Sequence, residues 1–486
     1  MKPTHSPLFN TGLLINGEWC ASSDNTRFAV TNPATGDVIH EVADATPADA
    51  TRAINAAAQA QPLWAAKTAL ERSNLLRRWF ALLQEHQEPL AQLLTLEQGK
   101  PLAEARGEIA YGASYLEWFA EEAKRIYGDV IAPPENDKRI LVTKQAVGVV
   151  GAITPWNFPN AMLARKLAPA LAAGCTVVAK PAAETPFSAL ALGYLALQAG
   201  IPAGVINILP STRAQQIGEE LTSNPRVQKI SFTGSTAVGK QLIAQSASTV
   251  KHITLELGGN APFLVFDDAD LDAAVAGAML SKFRNAGQTC VCANRFYVQE
   301  GIYEAFTDKL AIAMEQLKIG NGSDEAVTLG PLISARAQEK VGALLEDALN
   351  RGARIRYQAK MDAELSAGYF FPPTLLVDVP TEARLSCEEI FGPVAALIRF
   401  STEEQAIQLA NDSEYGLAAY AFTKNSARIK RLSDELQTGM LGINTGVISN
   451  AMAPFGGIKQ SGFGREGSRY GLDDYLNIKY TCESFS

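Results

Sequence analysis

The chain has 486 residues, more than one ordinary hydrophobic core accommodates, so we expect two or three domains. Apolar residues make up 47% and charged residues 19% of the sequence, a composition that excludes intrinsic disorder. The formal net charge of −8, with lysine and arginine scattered along the chain, offers no basic field and predicts no nucleic-acid partner.

The N-terminal segment lacks the features of a targeting signal. It reads MKPTHSPLFNTGLL, with no charged segment leading into a long apolar one and no Arg/Ser-rich bias. The most apolar stretch, 161–179, contains Arg165, Lys166 and Pro169, which a membrane-spanning helix tolerates poorly. We therefore expect a cytoplasmic protein that makes no membrane contact.

The cysteines show neither a disulfide framework nor a metal motif. No CxxC pair and no Cys/His spacing typical of zinc occurs in the sequence. The six cysteines are Cys20, Cys175, Cys290, Cys292, Cys387 and Cys482. We therefore expect no metal site.

Residues 47–126 predict a helical region, because apolar residues recur at three and four in runs such as LLRRWFALLQ. From residue 147 strand-like and helix-like runs alternate. The predicted strands are VGVVGAIT, CTVVAK, VINIL and KISFTG, and the predicted helices lie near 160–172, 186–199 and 213–222. This rhythm predicts a parallel sheet covered by helices, which binds ligands at the carboxyl ends of its strands.

A second alternating region runs from about 259 to 460. Its strand-like runs are PFLVFDD, RFYVQ, ALIRF, YAFTK and LGINTG, so it predicts a second α/β domain. Two further strand-like runs lie outside both alternations, namely KRILVTKQA at 138–146 and NIKYTCE near the C-terminus. We expect these two runs to pair as an exposed flap.

The segment SFTGSTAVGK, residues 231–240, fits the G-x-x-x-x-G-K frame of a nucleoside triphosphate loop. The next residue is Gln241, whereas that loop needs a Ser or Thr hydroxyl to hold magnesium. What remains is an apolar strand from Val227 to Phe232, a glycine turn and a helix from Thr236, whose first N–H groups suit any phosphate. A second glycine motif, GFGREG near the C-terminus, lacks a preceding strand, so we interpret it as a chance match.

Three residues have a sequence context that suggests chemistry. Cys290 lies in NAGQTCVCANR, whose small neighbours suit a thiol presented in a cleft, although an inert buried cysteine has the same signature; reactivity would require a lowered thiol pKa. Glu256 ends the apolar run HITLE before two glycines, which fits either a catalytic carboxylate or a strand-end acid facing water. Asn157, in ITPWNFP, is fixed between prolines and can donate to developing negative charge.

The stretches ITPWNFP, LELGGN and GQTC, in this order, resemble the NAD(P)-dependent aldehyde dehydrogenase family. The resemblance continues through KPAAETP, FTGST, EEIFGPV and PFGGIKQSG and covers essentially the whole chain. It implies an α/β fold in three parts: a Rossmann-type cofactor domain (1–125 and 147–258), a second α/β catalytic domain (259–465) and a small β oligomerisation flap (126–146 and 466–486). It also implies a homo-oligomer, either a dimer or a tetramer.

The resemblance implies roles for the same three residues. The Cys290 thiolate attacks the aldehyde carbon, the Asn157 amide and the Cys290 backbone N–H hold the alkoxide, and hydride leaves for the nicotinamide. Glu256 then acts as general base in hydrolysis of the thioester, and the product is a carboxylic acid. A non-catalytic relative would lack Cys290 or Glu256, and a CoA-acylating dehydrogenase would not need Glu256, so both alternatives are disfavoured.

The matching motifs also imply a set of cofactor-binding residues. They are Trp156, Lys180, Ala183, Gly234, Ser235, Glu389 and Phe391. A surface charge at Lys180 and core packing at Phe391 are the alternatives. NAD-preferring relatives often carry Glu three residues after the lysine; Ala183 instead leaves room for a 2′-phosphate, so we expect NADP, with NAD as the alternative because Glu184 lies next to it.

Two arginines suggest the class of substrate. Arg165 lies eight residues after Asn157 and Arg284 six before Cys290, and arginine forks bind carboxylates, although each could instead bridge a local acid. The runs AMLARK, FRNAGQTCVCANR and GVISNAMAPFGG resemble the succinate-semialdehyde dehydrogenase branch, which implies carboxylate contacts from Arg165, Arg284 and Ser449. Glutarate semialdehyde is the alternative, since one methylene is worth only about 1–3 kcal/mol.

Cys292 suggests a redox hypothesis. In some members of this branch the cysteine two positions after the nucleophile forms a reversible disulfide with it, and a disulfide between such near neighbours is strained and reducible. The alternative is a small side chain that fills space.

Overall fold

The computed structural model describes residue 4 and residues 6–485, and the structural statements below concern those residues. Its helices are α1 (Pro47–Ala65), α2 (Ala69–Glu85), α3 (Gln87–Gln98), α4 (Leu102–Glu122), α5 (Pro159–Ala173), α6 (Pro186–Gln198), α7 (Ala214–Ser223), α8 (Thr236–Ser246), α9 (Leu271–Phe283), α10 (Tyr303–Met314), α11 (Ala335–Asn350), α12 (Arg384–Cys387), α13 (Glu403–Asn411), α14 (Ser426–Glu435) and α15 (Tyr470–Asp473). The sequence explains several of their ends. Thr46 and Thr68 form capping boxes at α1 and α2, and left-handed Gly99 and Gly174 end α3 and α5.

The strands are short, and most of them follow the predicted apolar runs. They are β1 (Leu13–Ile15), β2 (Glu18–Cys20), β3 (Arg27–Thr31), β4 (Val38–Ala43), β5 (Asp129–Ile131), β6 (Lys138–Ala146), β7 (Val149–Ile153), β8 (Thr176–Lys180), β9 (Ile206–Ile208), β10 (Val227–Thr233), β11 (His252–Glu256), β12 (Ala261–Val265), β13 (Ala293–Gln299), β14 (Arg354–Gln358), β15 (Thr374–Val377), β16 (Val394–Phe400), β17 (Tyr415–Gly416), β18 (Ala418–Phe422), β19 (Met440–Ile443), β20 (Ile458–Lys459), β21 (Gly462–Phe463) and β22 (Leu476–Ser484).

The first sheet confirms the alternation predicted from residue 147. Its order is β2-β1-β9-β8-β7-β10-β11-β21, and the five strands from β7 to β11 are mutually parallel. In chain order those five strands lie 3-2-1-4-5, the arrangement of a dinucleotide-binding sheet, so the topological switch point falls between β7 and β10. Ligands bind at the carboxyl ends of the strands there, which are Ile153 and Thr233.

The second sheet is also largely parallel, as the alternation from 259 predicts. Its order is β14-β15-β16-β13-β12-β18-β19, with β14 antiparallel at one edge. The inner strands β12, β13, β16 and β18 are almost wholly buried, which accounts for their continuous apolar sequence. Cys290 lies in the connection that leads from α9 into β13.

The predicted flap pairing is confirmed. β22 pairs antiparallel with β6 from Leu476–Ala146 to Ser484–Lys138, and β5 pairs with the other edge of β6. The domain boundaries of the sequence analysis stay predictions, although β21, which was placed in the catalytic domain, pairs with β11 of the first sheet. None of the described helices combines the length and apolar character that crossing a bilayer requires.

Candidate active site

A cleft of about 540 Å³ opens at the switch point of the first sheet. The residues that line it come from the loops after β7, β10 and β11, from the start of α11 and from the segment before β16. Those predicted from the sequence are Trp156, Asn157, Gly234, Ser235, Glu256, Cys290, Glu389 and Phe391. Eight residues predicted as catalytic or cofactor-binding are therefore brought to one cavity.

The phosphate-binding turn has the predicted local structure. β10 ends at Thr233 and α8 begins at Thr236, as the strand, turn and helix pattern predicts. Ser235 caps α8 by accepting the Val238 N–H, so the first N–H groups of the helix face the cleft. The Thr233 hydroxyl is buried on the cleft wall without a hydrogen-bond partner.

A second cavity of about 260 Å³ meets the cleft at Cys290. Its walls include Arg165, Arg284 and Ser449, the three residues predicted to contact a substrate carboxylate. Cys290 and Met162 line both cavities. The thiol therefore stands between a space that fits a cofactor and a space that fits a small acidic substrate.

Cys290 is half-buried and carries a protonated thiol. Burial raises its pKa to about 12, and the positive charges of Arg165 and Arg284 oppose that rise only in part. Burial of the thiol therefore works against the lowered pKa that reactivity requires. Deprotonation needs a base nearby or an additional positive charge in the cleft.

Glu256 lies at the end of β11, 3% exposed, with neither carboxylate oxygen hydrogen-bonded. Burial raises the pKa of this carboxyl well above its ordinary value, and the neighbouring Glu466 carboxylate raises it further. The strand-end alternative that has Glu256 facing water is wrong, because the side chain points into the interior of the cleft. A buried, unpaired acid of this kind suits proton transfer.

Asn157 is held by its backbone. The Lys100 ammonium donates to its carbonyl oxygen at 2.7 Å and to Glu108 at 2.6 Å, and the Asn285 side chain donates to the same carbonyl at 3.0 Å. The Asn157 amide itself donates to the Gln288 carbonyl oxygen at 3.0 Å, two residues before Cys290. The amide is therefore held beside the thiol by contacts that do not depend on a ligand.

The two arginines of the substrate cavity differ in their partners. Arg165 is fully buried and forms an ion pair with Glu466, which also binds Lys166 at 2.5 Å. Burial opposes ionisation of Glu466, but the two cations outweigh it and lower its pKa. Arg165 thus bridges a local acid, as the structural alternative predicts, although its Nη2 has no hydrogen-bond partner.

Arg284, unlike Arg165, forms no ion pair with a described residue. Its Nε lies buried without a hydrogen-bond partner, and its guanidinium lies 5.4 Å from the centre of the Phe158 ring. Glu466 balances only one of Arg165 and Lys166, and Arg284 forms no ion pair with a described residue, so the cavity keeps cationic groups near the thiol although Glu104 and Glu108 also line it. Those cationic groups favour an anionic substrate.

Two predicted cofactor residues lie outside the cleft lining. Lys180 ends β8 and is buried, with its ammonium donating to the Pro181 carbonyl oxygen at 3.2 Å, so the surface-charge alternative does not describe it. Ala183 is half-buried, and Glu184, one residue on, lines the cleft. Lys180 and Ala183 thus lie at the carboxyl end of β8, the strand that pairs with β7, at the edge of the switch point.

Sequence reasoning missed Glu104, Glu108 and Glu466. Glu104 and Glu108 line the substrate cavity from α4, and no motif marks them because helical acids are common. Glu466 lies in GFGREG, whose glycines occupy a turn beside β11 and open no βαβ unit. The interpretation of GFGREG as a chance match to a dinucleotide motif is therefore confirmed. The acid Glu466 between its glycines was the feature that could have indicated a role at the site.

The remaining sequence hypotheses concern cysteines and metals. Cys290 and Cys292 are free thiols, and the Cys292 sulfur donates to the Lys282 carbonyl oxygen at 3.6 Å while only 1% exposed. This packing favours the space-filling interpretation. In the part of the chain that the structure describes, no group of three or more His, Cys, Asp or Glu side chains is arranged to hold a metal ion.

Comparison with known proteins identifies the class. Residues 19–481 match the model of the aldehyde dehydrogenase family. The chain is 58% identical over 482 residues to the succinate-semialdehyde dehydrogenase (NADP(+)) of Escherichia coli strain K12, covering 99% of each chain. It is 57% identical over 484 residues to a glutarate-semialdehyde dehydrogenase of Pseudomonas putida, covering 100% of each. The chain belongs to the aldehyde dehydrogenase family.

A solved structure gives the same result for the fold. A succinate-semialdehyde dehydrogenase from Burkholderia pseudomallei superposes with a TM-score of 0.97 and 55% identity over 99% of both chains. The predicted fold class, a Rossmann-type part and a second α/β part, is confirmed by this match.

Proposed function

We propose that this protein oxidises succinate semialdehyde to succinate with NADP. One observation carries the proposal: Cys290 lines both the 540 Å³ cleft and the 260 Å³ cavity. An aldehyde in the smaller cavity and a hydride acceptor in the larger one would therefore meet at the thiol.

The residues of the cleft fit a nicotinamide dinucleotide. The helix start at Ser235 and the unpartnered Thr233 hydroxyl suit the pyrophosphate, and Trp156 and Phe391 lie edge to face at 5.5 Å on the cleft wall. When bound, the nicotinamide supplies a hydride acceptor and a positive charge. We assign the same cavity's Glu389, whose pKa burial raises to about 7, to the ribose region.

The chain's own groups perform the remaining chemistry. The Cys290 thiol loses its proton to solvent, which the positive charge of a bound nicotinamide would favour, and the thiolate adds to the carbonyl carbon. The Asn157 amide and the Cys290 N–H donate to the oxyanion. After hydride loss the sulfur carries a thioester. In its carboxylate form Glu256 takes a proton from a water molecule, and the water oxygen attacks the thioester carbon. The C–S bond then breaks, the acid product leaves, and Glu256 returns the proton to the Cys290 sulfur.

The carboxylate of the substrate is assigned to Arg284 and Ser449, with the free Nη2 of Arg165 as a further donor. We expect Arg284→Ala to raise KM for succinate semialdehyde about 10- to 100-fold, since a hydrogen bond to a charged group contributes about 1.5–3 kcal/mol. Steady-state rates measure this. Butanal, which lacks the carboxylate, is the control, and equal losses on both aldehydes would contradict carboxylate recognition.

The cofactor preference rests on Ala183 beside Lys180. No carboxylate stands at position 183 to repel a 2′-phosphate, and the Lys180 ammonium donates to the Pro181 carbonyl oxygen, with the charges of Glu184 and Asp44 in its surroundings. We expect higher initial rates with NADP than with NAD. The same assay compares succinate and glutarate semialdehydes with butanal; a preference for the five-carbon acid would replace the proposed substrate by the alternative one, and a strong NAD preference would refute the cofactor assignment.

We also propose that the protein is a homo-oligomer assembled through the flap. Large apolar side chains are exposed on this sheet, among them Val130 at 80%, Ile478 at 71% and Tyr480 at 60%. The strand β19 is moreover an open edge of the second sheet. Sedimentation should give the mass of two or four chains, and a monomer at micromolar concentration would exclude the assembly.

A further inference from the structure

The connection that leads to Cys290 turns through three consecutive left-handed residues. Asn285, Ala286 and Gly287 have φ angles of 51°, 54° and 76°. Glycine adopts this region freely and asparagine tolerates it, but alanine does so only when its surroundings hold it there. An added Cβ at Gly287 would lie 2.3 Å from the Gly392 carbonyl oxygen, so the turn is also tightly packed. Gln288 donates to the Asn285 carbonyl oxygen from within the segment, and contacts from other elements add to this support.

Glu104 makes one of these contacts from the first turn of α4. Its Oε2 accepts the Asn285 backbone N–H at 2.8 Å. Its side chain lines the substrate cavity together with Arg284 and Cys290. Burial raises the pKa of this carboxyl, while Lys100, the Asn285 N–H and Arg284 lower it in part. The residue thus connects a rigid helix to a backbone turn that is strained.

Both ends of the turn carry groups of the proposed chemistry. Arg284 directly precedes it, and Cys290 follows it by three residues. From within the turn the Asn285 side chain donates to the Asn157 carbonyl oxygen at 3.0 Å. A shift of this turn would therefore displace the carboxylate-binding arginine, the nucleophile and the oxyanion donor together.

We propose that Glu104 is a positioning residue, which holds the left-handed turn 285–287 through the Asn285 N–H and so fixes Arg284 for the substrate carboxylate and Cys290 for the aldehyde carbon. The part that concerns the substrate carboxylate rests on the proposed function. The part that concerns the thiol does not, because any aldehyde must reach Cys290.

The test compares Glu104→Ala, Glu104→Asp and Glu104→Gln with the wild-type chain. We expect Ala and Asp to lower kcat/KM for succinate semialdehyde about 100-fold, since small misplacements of reacting groups cost this much and the shorter Asp cannot reach the N–H. In these two variants we expect KM to rise for succinate semialdehyde and kcat to fall for butanal. Glu104→Gln should keep KM and kcat close to the wild-type values, because its amide oxygen accepts the same Asn285 N–H.

Glu117→Ala is the matched control, since Glu117 is an exposed acid on the same helix. It should behave as wild type. If Glu104→Ala does not fold, Glu104→Asp replaces it in the comparison. Loss of activity in Glu104→Gln as large as in the other variants would overturn the proposal. Wild-type rates in both Glu104→Ala and Glu104→Asp would also overturn it.

A third readout separates this inference from the proposed function. The rate at which iodoacetamide alkylates Cys290 reports on the thiol without any substrate. If wild-type enzyme oxidises butanal and ignores semialdehydes, the proposed substrate fails while Glu104 is still tested. Unchanged alkylation and unchanged butanal turnover in Glu104→Ala would then overturn the positioning role.

Discussion

In Cys290→Ser we expect reduction of NADP by succinate semialdehyde to fall on the order of 10⁵-fold, a loss typical of removing the nucleophile from a covalent mechanism. A serine hydroxyl is a far weaker nucleophile than a thiolate, and among the described residues no histidine or lysine lines the substrate cavity to activate it. The measurement is the absorbance of the reduced nicotinamide at saturating cofactor. Melting of the variant should match wild type, since the change replaces one small half-buried atom.

The matched control is Cys292→Ser. Cys292 lies in the same segment but is directed at the Lys282 carbonyl oxygen, away from both cavities. We expect this variant to keep most of its turnover. Wild-type turnover in Cys290→Ser would contradict the covalent mechanism, and an equal loss in both variants would indicate that the segment itself was disturbed.

The second large effect is expected for Glu256→Gln. A positioned general base contributes about 10²–10⁴-fold, so steady-state turnover should fall by that amount. Because the amide keeps the size of the carboxyl, acylation should continue and hydrolysis should not. Rapid mixing should therefore show a burst of reduced cofactor of one equivalent per active site, followed by a slow phase. A loss of the burst would instead place Glu256 in the attack of Cys290.

The pH dependence of Glu256 follows from its raised pKa. Only the carboxylate accepts a proton, so wild-type hydrolysis of the thioester should rise with pH, and Glu256→Gln should remove that rise. At a pH above 4.5, the ordinary pKa of this carboxyl, the unfolded chain loses the proton while the folded chain keeps it. The free energy of unfolding therefore decreases as the pH rises from 4.5 towards the raised pKa of the folded chain. Glu256→Gln should therefore unfold at higher temperature than wild type at neutral and alkaline pH. Equal melting temperatures would contradict the raised pKa.

The order of strands and helices around the cofactor cleft could be predicted from local patterns. The run from Val227 to Thr236 predicts a strand, a turn and a helix, and the structure has β10 and α8 at those positions. Likewise Pro159 and Pro186 begin α5 and α6, because proline suits the first turn of a helix. Such features depend on a few neighbouring residues and so are visible in the sequence.

The partners of the titratable groups could not be predicted. Arg165 and Glu466 are 301 residues apart in the chain yet form a buried ion pair, and the pKa of Glu256 depends on both of them. The left-handed turn at Ala286 was equally invisible, since alanine there has no local preference for that conformation. Residues on either side of Ala286 are held by distant groups, since Glu104 accepts the Asn285 N–H and the Gly392 carbonyl packs against Gly287.

The succession of elements, the residue types at the ends of the strands and the family resemblance can all be read from the amino-acid sequence, because they depend on short segments and their spacing. Three features of the site come from the packing of distant segments: Cys290 lies between two cavities, the Arg284 Nε has no partner among the described residues while Arg165 pairs with Glu466, and the pKa of Glu256 is raised. Cavity shape, burial and electrostatic coupling are set by groups that meet only when distant parts of the chain pack together, and no local pattern encodes them.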